Sequence, residues 1–436
     1  MRFVRRLLRQ LHGFLIVAVL CAGLPADGLA QAASTAPTPD SSDHPNRTPY
    51  ATDRSVAYHV LAAPAYVLHG ATRPLGWGVQ YVTQTFPNLF EGRRPPAGVI
   101  PLVEVGGPTG VLGGLALYDN TVLGSDHTAR LEGLYGGPDT YEAEASYRVP
   151  ELLGPGTYLR VRANLFSDPE SEFFLGGNDS DRDRNEGLFD RDQLDVTTTL
   201  QFASPDTGPF GQVDLLYEHV RTGTVDSIRG ERLARADPAG LIDVDLLTPR
   251  LTLGLDRTGA GPRTHSGTEV LLRLDYTHDL NAARFRYGRY VLELRQYLPV
   301  GFFPNSRRLA LRGRLEQTEP LFGGAAVPFY QRPGLGGQNL VRGFRSNRFQ
   351  GDGSLVLNAE YRYPIWSNWD ALVFVDTGQV FPELSDVAAD RFHWSYGGGI
   401  HMLNQNGLSF RFEVAGSTEG VRTILTVEPT FRRIAR

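Results

Sequence analysis

The sequence LVRGF, at residues 340–344, is the most informative stretch of this chain. It lies in a Gly-rich segment, residues 321–353, that interrupts a series of amphipathic strand patterns. An arginine between apolar residues and a glycine suits a loop that folds inward and places its guanidinium on a buried carboxylate. The sequence FVDTG at residues 374–378 offers such a carboxylate, because Asp376 lies in the middle of a predicted strand. The two motifs together predict an infolded loop anchored to a sheet.

A period-two alternation of apolar and polar residues begins after Pro95 and continues to Phe431. This alternation is typical of β-strands. In residues 355–363, for example, apolar side chains alternate with Asn358, Glu360 and Arg362. A soluble sandwich would also alternate, but the polar row here mixes arginine and glutamate, which suits a hydrated, ion-paired lumen inside a lipid-facing wall. Mean hydropathy is only −0.24, as expected when apolar residues occupy alternate positions.

The alternating segments number about sixteen, and each is close to the ten residues that a tilted strand needs to cross a bilayer. The predicted strands are 98–106, 110–119, 127–136, 140–150, 156–166, 192–204, 209–221, 246–256, 267–278, 285–299, 306–317, 353–364, 368–380, 391–403, 407–417 and 420–431. If the first strand runs outward, the long connections 167–191, 222–245, 318–352 and 381–390 all face the exterior. The predicted fold is therefore all-β, an antiparallel transmembrane β-barrel of about 16 strands with short N-terminal helices and an inward-folded extracellular loop.

The first residues predict secretion. Four arginines precede an apolar run that is too short to remain in a bilayer, and Ala30-Gln31-Ala32 supplies a cleavage site. We therefore divide the chain into a signal peptide (1–32), a disordered leader (33–54), a periplasmic helical segment (55–94) and an outer-membrane β-barrel (95–436). The helical segment is either an interfacial helix under the barrel or a plug for its lumen. The one cysteine, Cys21, lies in the signal peptide, so the mature chain has no disulfides.

The strand register places two carboxylates on the lumen side. Glu360 shares an inward row with Asn358 on the predicted strand 353–364, and Asp376 shares an inward row on the next strand with Phe374 and Gly378. An infolded loop would place the guanidinium of Arg342 between these two acids. Gly343 and Gly378 would then allow the backbones to approach closely.

The paired motifs resemble the BamA/TamA superfamily of bacterial outer-membrane barrels, in which a VRGF/Y loop tip docks against an FxDxG strand. The loop joins the eleventh and twelfth predicted strands and FVDTG lies on the thirteenth, as in that family. The resemblance is dense over residues 318–380. It implies a loop anchor in the barrel, whose residues are Arg342, Gly343, Phe344, Glu360, Phe374, Asp376 and Gly378.

The resemblance also implies a location and an activity. The chain is expected in the bacterial outer membrane, in a short form of the family without POTRA domains, with a role in outer-membrane protein or lipid assembly or in polypeptide export. The expected partners are outer-membrane lipid, unfolded outer-membrane or secreted polypeptides, and separate periplasmic factors. The net charge of −5 argues against a nucleic-acid partner.

The residues themselves leave two other functions open and argue against a third. A passive diffusion pore with an arginine-rich lumen would favour anions, and a surface adhesin would present loops 167–191 and 222–245. An enzyme is not expected, because no nucleophile, base and acid form a set. We expect no cofactor and no metal site: Asp179, Asp181 and Asp183 alternate as in a calcium loop, but Arg184 occupies the position where that loop needs glycine.

Overall fold

The computed structural model describes residues 97–429, apart from 108, 138, 204–207, 259–265, 283, 301–306, 322–325, 367–368 and 404–407. The predicted signal peptide (1–32), leader (33–54) and helical segment (55–94) lie outside the described residues. Within the described range the chain forms a closed antiparallel barrel of sixteen strands, which confirms the predicted fold class. Consecutive strands pair all the way around, and the first strand pairs with the last.

The barrel strands begin and end within a few residues of the predicted ones, except at the end of the fifth strand and the start of the sixth, which extend further. They are β1 (Ala97–Gly107), β2 (Gly110–Asp119), β3 (Thr128–Gly137), β4 (Thr140–Pro150), β5 (Thr157–Phe174), β6 (Glu186–Ala203), β7 (Gly208–Thr224), β8 (Val244–Asp256), β9 (Gly267–Asp279), β10 (Arg286–Pro299), β11 (Arg308–Pro320), β14 (Gly353–Trp366), β15 (Trp369–Phe381), β16 (His393–Leu403), β17 (Leu408–Ser417) and β18 (Gly420–Pro429). Two short strands, β12 (Gly334–Leu335) and β13 (Phe349–Gln350), pair with each other in the connection between β11 and β14.

The two faces of the wall differ as the alternation predicts. On β15, Val375 is 45% exposed on the outer face, whereas Phe374 and Asp376 are buried on the inner face. Apolar and aromatic side chains remain exposed on the outer face elsewhere, including Tyr135 and Trp394. In a membrane protein these residues contact lipid, and the aromatic ones suit the interface between lipid and water.

Two connections are shorter than predicted, because the strands on either side of each connection are longer than predicted. Residues 167–191 were expected to form a loop, but most of this range belongs to β5 and β6, which pair up to Phe174 and Glu186. The extension has its own apolar core, in which Phe173 and Phe189 pack edge-on against Phe329. The charged residues between them hid this strand pattern in the sequence.

The connection 222–245 likewise contains the end of β7, the start of β8 and a helix. This helix, α2 (Ile228–Ala236), begins at Ser227, whose side chain accepts a hydrogen bond from the amide of Gly230, and it buries Leu233. A one-turn helix, α1 (Arg182–Asn185), lies in the β5–β6 connection and is capped by Asp181. In the part of the chain that the structure describes, no helix has the length and apolar composition needed to cross a membrane.

Candidate functional site

The connection between β11 and β14 folds into the lumen, and its tip carries the LVRGF sequence. Val341 and Phe344 are almost fully buried in an apolar cluster with Leu335 and Phe349 of the same connection. The cluster packs on inner-face residues of the wall, Val356 of β14 and Val380 of β15. The tip therefore has its own apolar contact with the wall, next to the charged contact of Arg342.

Arg342 lies among three carboxylates. Its Nε and Nη2 atoms donate to the two oxygens of Asp376, both at 2.8 Å. Its Nη1 atom donates to Glu360 at 2.9 Å and to Glu413 at 3.1 Å. The backbone amide of Arg342 also donates to Asp376, at 3.2 Å. The arrangement uses the planar, forked shape of the guanidinium, because the contact with Asp376 is bidentate.

Small residues and an aromatic ring complete the pocket around this guanidinium. The ring centroid of Phe374 lies 3.4 Å from Cζ of Arg342, in cation–π contact. A Cβ on Gly343 would lie 2.6 Å from Cβ of Ser395, and one on Gly378 would lie 2.5 Å from Leu335. The structure thus places all seven residues of the expected anchor around one point of the lumen wall.

Three contacts at the tip were not anticipated from the sequence. Glu413 of β17 is the third carboxylate, although the alternation around it does place it on the inner face. Ser417 donates to the carbonyl of Gly343 at 2.8 Å, and Arg422 of β18 donates to the carbonyl of Phe344. The tip is therefore held by β14, β15, β17 and β18.

The surrounding charges also keep Arg342 ionised. Burial alone would lower the pKa of this guanidinium, but its hydrogen bonds to Asp376 and the charges of Glu360, Asp376 and Glu413 raise its pKa above the ordinary arginine value. No change of pH that the barrel tolerates would therefore discharge Arg342.

The outer mouth above the tip is covered by the β5–β6 connection. Asn178 donates to the carbonyl of Arg391 at 2.9 Å and accepts from the amide of Val380 at 2.9 Å, so it ties this connection to β15 and the segment after it. Beneath it, Arg348 is buried and donates to Glu419 at 2.6 Å and to the carbonyl of Ser180 at 2.8 Å. These contacts hold the β5–β6 connection against the loop and against β15 and the segment after it.

The seam where β1 meets β18 is short. Among the described residues, its pairing covers Val103–Val105 against Leu425–Val427, whereas β1 pairs with β2 from Ala97 to Gly107. The same register carried two positions further would set Pro101 opposite Pro429. Proline has no backbone N–H to donate, so neither residue contributes a donor to that rung. The two prolines thus limit backbone pairing between β1 and β18 at this end of the seam.

One side chain of the loop touches both strands of the seam. Gln338 donates to Glu104 of β1 at 3.2 Å and accepts from Thr426 of β18 at 3.2 Å. Glu104 and Thr426 are directly paired across the seam. Arg422 makes a second link, because it donates to the carbonyl of Gly106 in β1 at 2.8 Å as well as to the loop tip. The loop therefore joins the two ends of the sheet.

The lumen wall below the loop is densely ion-paired. Glu293 forms ion pairs with Arg295 at 2.5 Å and with Arg312 and Arg314 at 3.0 Å each.

Within the described residues, no three histidine, cysteine or acidic side chains are grouped as a metal site would need. Of the residues considered for calcium, Asp181 caps α1 and Asp179 pairs with Arg391 at 2.6 Å.

Comparison with known proteins gives this barrel a family. The sequence profile of the Omp85 superfamily domain matches residues 122–419, more than half of the chain. A comparison with curated proteins gave no significant match.

Solved structures with a similar fold include BamA from Haemophilus ducreyi lacking POTRA domains 1–3, at 16% identity over 77% of this chain and 70% of that chain, with a TM-score of 0.56. CdiB from Escherichia coli matches at 12% identity over 77% of this chain and 63% of its own, with a TM-score of 0.57. CdiB from Acinetobacter baumannii matches at 13% identity over 76% of this chain and 59% of its own, with a TM-score of 0.51. This chain thus spans less than two thirds of each CdiB chain.

At these identities the structural likeness shows the fold alone, and the profile match shows the family. Both findings confirm the resemblance to BamA-type barrels that the LVRGF and FVDTG motifs indicated. The chain belongs to the Omp85 superfamily.

Proposed function

We propose that this barrel lies in the bacterial outer membrane and moves polypeptide into or across it through the β1–β18 seam. The observation that carries the proposal is that the seam is short and that Gln338 bonds both of its strands. A strand edge that opens can pair with a strand of a client chain, because its backbone donors and acceptors are then unpaired. The client class is therefore unfolded polypeptide that pairs as a strand.

The anchored loop has a distinct part in this function. Arg342 holds the tip on β15 and β17, which lie on one side of the seam, and Gln338 reaches from the same tip to β1 on the other side. When β1 moves away from β18, the tip stays on the β15–β17 side and the bond from Gln338 to Glu104 breaks. The bond from the loop to β1 therefore adds to the free energy needed to separate β1 from β18.

The proposal assigns no catalytic chemistry and no cofactor to the barrel. Its partners are outer-membrane lipid, client polypeptides and separate periplasmic factors that deliver them. Membership of the Omp85 superfamily supports a role in outer-membrane assembly or polypeptide export, and the seam geometry favours a route along the wall. A passive pore would instead need a free lumen, whereas the loop tip lies inside the lumen on the inner face of β14 and β15.

The test is a barrel whose seam is locked. Glu104→Cys with Thr426→Cys places two thiols at directly paired positions of the seam, and Leu117→Cys with Leu131→Cys places them at directly paired positions between β2 and β3. We expect oxidation of the seam pair to abolish folding of a client outer-membrane protein in proteoliposomes, and a reductant to restore it. The control pair should remain active when oxidised. Full activity of the locked seam would refute the proposal.

A further inference from the structure

Two arginines face each other in the lumen, on neighbouring strands near the end opposite to the loop. Arg148 of β4 and Arg160 of β5 are directly paired in the register, next to the turn that joins these strands. Both lie on the inner face, because Tyr147 and Val161, their neighbours in the chain, are exposed on the outer face. Like charges directly opposite each other destabilise a sheet pair. The pairing therefore requires a compensating interaction.

The wall does not supply that compensation with a carboxylate. Among the described residues, no acidic side chain lies within ion-pair distance of Arg148 or Arg160, and Nε of Arg160 is buried without a hydrogen-bond acceptor. The nearest inward acid of the same strand, Glu144, is four residues away along β4. That spacing corresponds to about 13 Å.

Two arginines elsewhere in the lumen illustrate how a carboxylate compensates such a charge. Arg250 lies 2.9 Å from Asp275, and Arg411 lies 2.7 Å from Glu413. Arg148 and Arg160 instead share one aromatic ring: the guanidinium carbons lie 4.1 Å and 5.9 Å from the centroid of Tyr158. The ring orients both cations, but it does not neutralise their charge.

The cationic surface is open to the lumen. Arg148 is exposed and Arg160 is half-buried, so both can reach a ligand. Arg162, the next inward residue of β5, has a side chain that is 42% exposed and only a loose contact with Glu144, at 3.9 Å. We call these three arginines the mouth cluster, because they lie near the mouth of the lumen opposite to the loop. Arg160 and Arg162 place two positive charges about 7 Å apart along β5, and Arg148 places a third opposite Arg160 on β4.

We propose that the mouth cluster binds the carboxylates of acidic polypeptide segments as they enter the barrel. The inference rests on the proposed function and names a chemical feature of its client. Side chains at alternate positions of an extended chain are also about 7 Å apart, so acidic residues at alternate positions match the spacing of Arg160 and Arg162. Guanidinium groups bind carboxylates with two parallel hydrogen bonds. A single compact anion such as phosphate would contact one end of this row.

The test is equilibrium binding to the full chain folded in a non-ionic detergent. A short fluorescein-labelled oligoglutamate peptide serves as the probe, and fluorescence anisotropy gives its Kd. We expect Arg148→Gln with Arg160→Gln to weaken binding about tenfold, equivalent to about 1.4 kcal/mol. Arg162→Gln alone should weaken it less. The control is Arg235→Gln, which removes a 75%-exposed arginine on α2 and should leave Kd unchanged.

A thermal measurement separates binding from structure. If the arginines only stabilised the wall through Tyr158, the double variant would unfold at a lower temperature. We expect it to be as heat-resistant as the parent or more so, since two opposed positive charges have been removed.

Three outcomes would overturn the inference: an unchanged Kd in the double variant, equal affinity for oligolysine, or competition by inorganic phosphate as strong as that by unlabelled oligoglutamate. The phosphate result would indicate a general anion site. None of these outcomes depends on opening the seam, so the locked-seam experiment tests the proposed function separately.

Discussion

Replacement of Arg342 by alanine is the most direct perturbation of the loop anchor. It removes the cation that three buried carboxylates share: the Asp376 side chain is fully buried, and those of Glu413 and Glu360 are 2% and 12% exposed. Breaking a buried ion pair from one side costs about 3–5 kcal/mol, because the remaining charge stays in a poorly solvated place. Here Asp376 loses its arginine partner, whereas Glu360 keeps Arg362 and Glu413 keeps Arg411, so we expect a loss within that range.

Two further variants separate charge from geometry. Arg342→Lys keeps the positive charge but cannot make the bidentate contact with Asp376, so we expect an intermediate loss of about 1.5–3 kcal/mol. Arg345→Ala is the matched control, because this arginine lies in the same loop tip with its side chain 37% exposed and pairs with Glu172. A partly exposed pair contributes only about 0–1 kcal/mol.

The assay is heat-modifiability on gels together with urea unfolding of the detergent-folded barrel. We expect the temperature of band conversion to fall in the order parent, Arg345→Ala, Arg342→Lys, Arg342→Ala. Asp376→Asn in the Arg342→Met background removes the charge that has lost its partner and should recover part of the loss, because Glu360 and Glu413 keep Arg362 and Arg411. Equal conversion temperatures for Arg342→Ala and the parent would refute the reasoning, and so would an equal loss in Arg345→Ala.

Further predictions concern the seam and the outer mouth. Gln338→Ala removes two hydrogen bonds worth about 1 kcal/mol each, so amide exchange of β1 and β18 at the seam should accelerate by about tenfold or more, as mass spectrometry can measure. Pro101→Val with Pro429→Val adds two backbone N–H donors beside the seam, so it should slow that exchange and reduce client folding. Unchanged exchange would contradict the claim that the two prolines limit strand pairing there. Asn178→Ala removes two hydrogen bonds that hold the β5–β6 connection against β15 and the segment after it, so trypsin should cleave the loop tip faster. An equal cleavage rate would show that other contacts protect the tip.

The strand count and the inner row of each strand follow from the sequence, because a one-residue slip would turn every apolar side chain from lipid to lumen. The same alternation places Glu360 and Asp376 on one face of adjacent strands. The third acid, Glu413, lies two strands away, and its distance from Arg342 depends on the curvature of the closed wall, which no local pattern encodes. The extension of β5 and β6 past the wall was missed because its apolar residues pack on Phe329, a contact between distant parts of the chain.

The bonds of the loop tip also have a consequence for the order in which the barrel assembles. Gln338 bonds Glu104, 234 positions earlier in the chain, and Thr426, 88 positions later. Both bonds can be present together only when the first and last strands are neighbours, and such long-range contacts are made late because the intervening chain must first be ordered. Docking of the loop is therefore complete only after the barrel has closed, so a fully docked tip indicates a closed barrel.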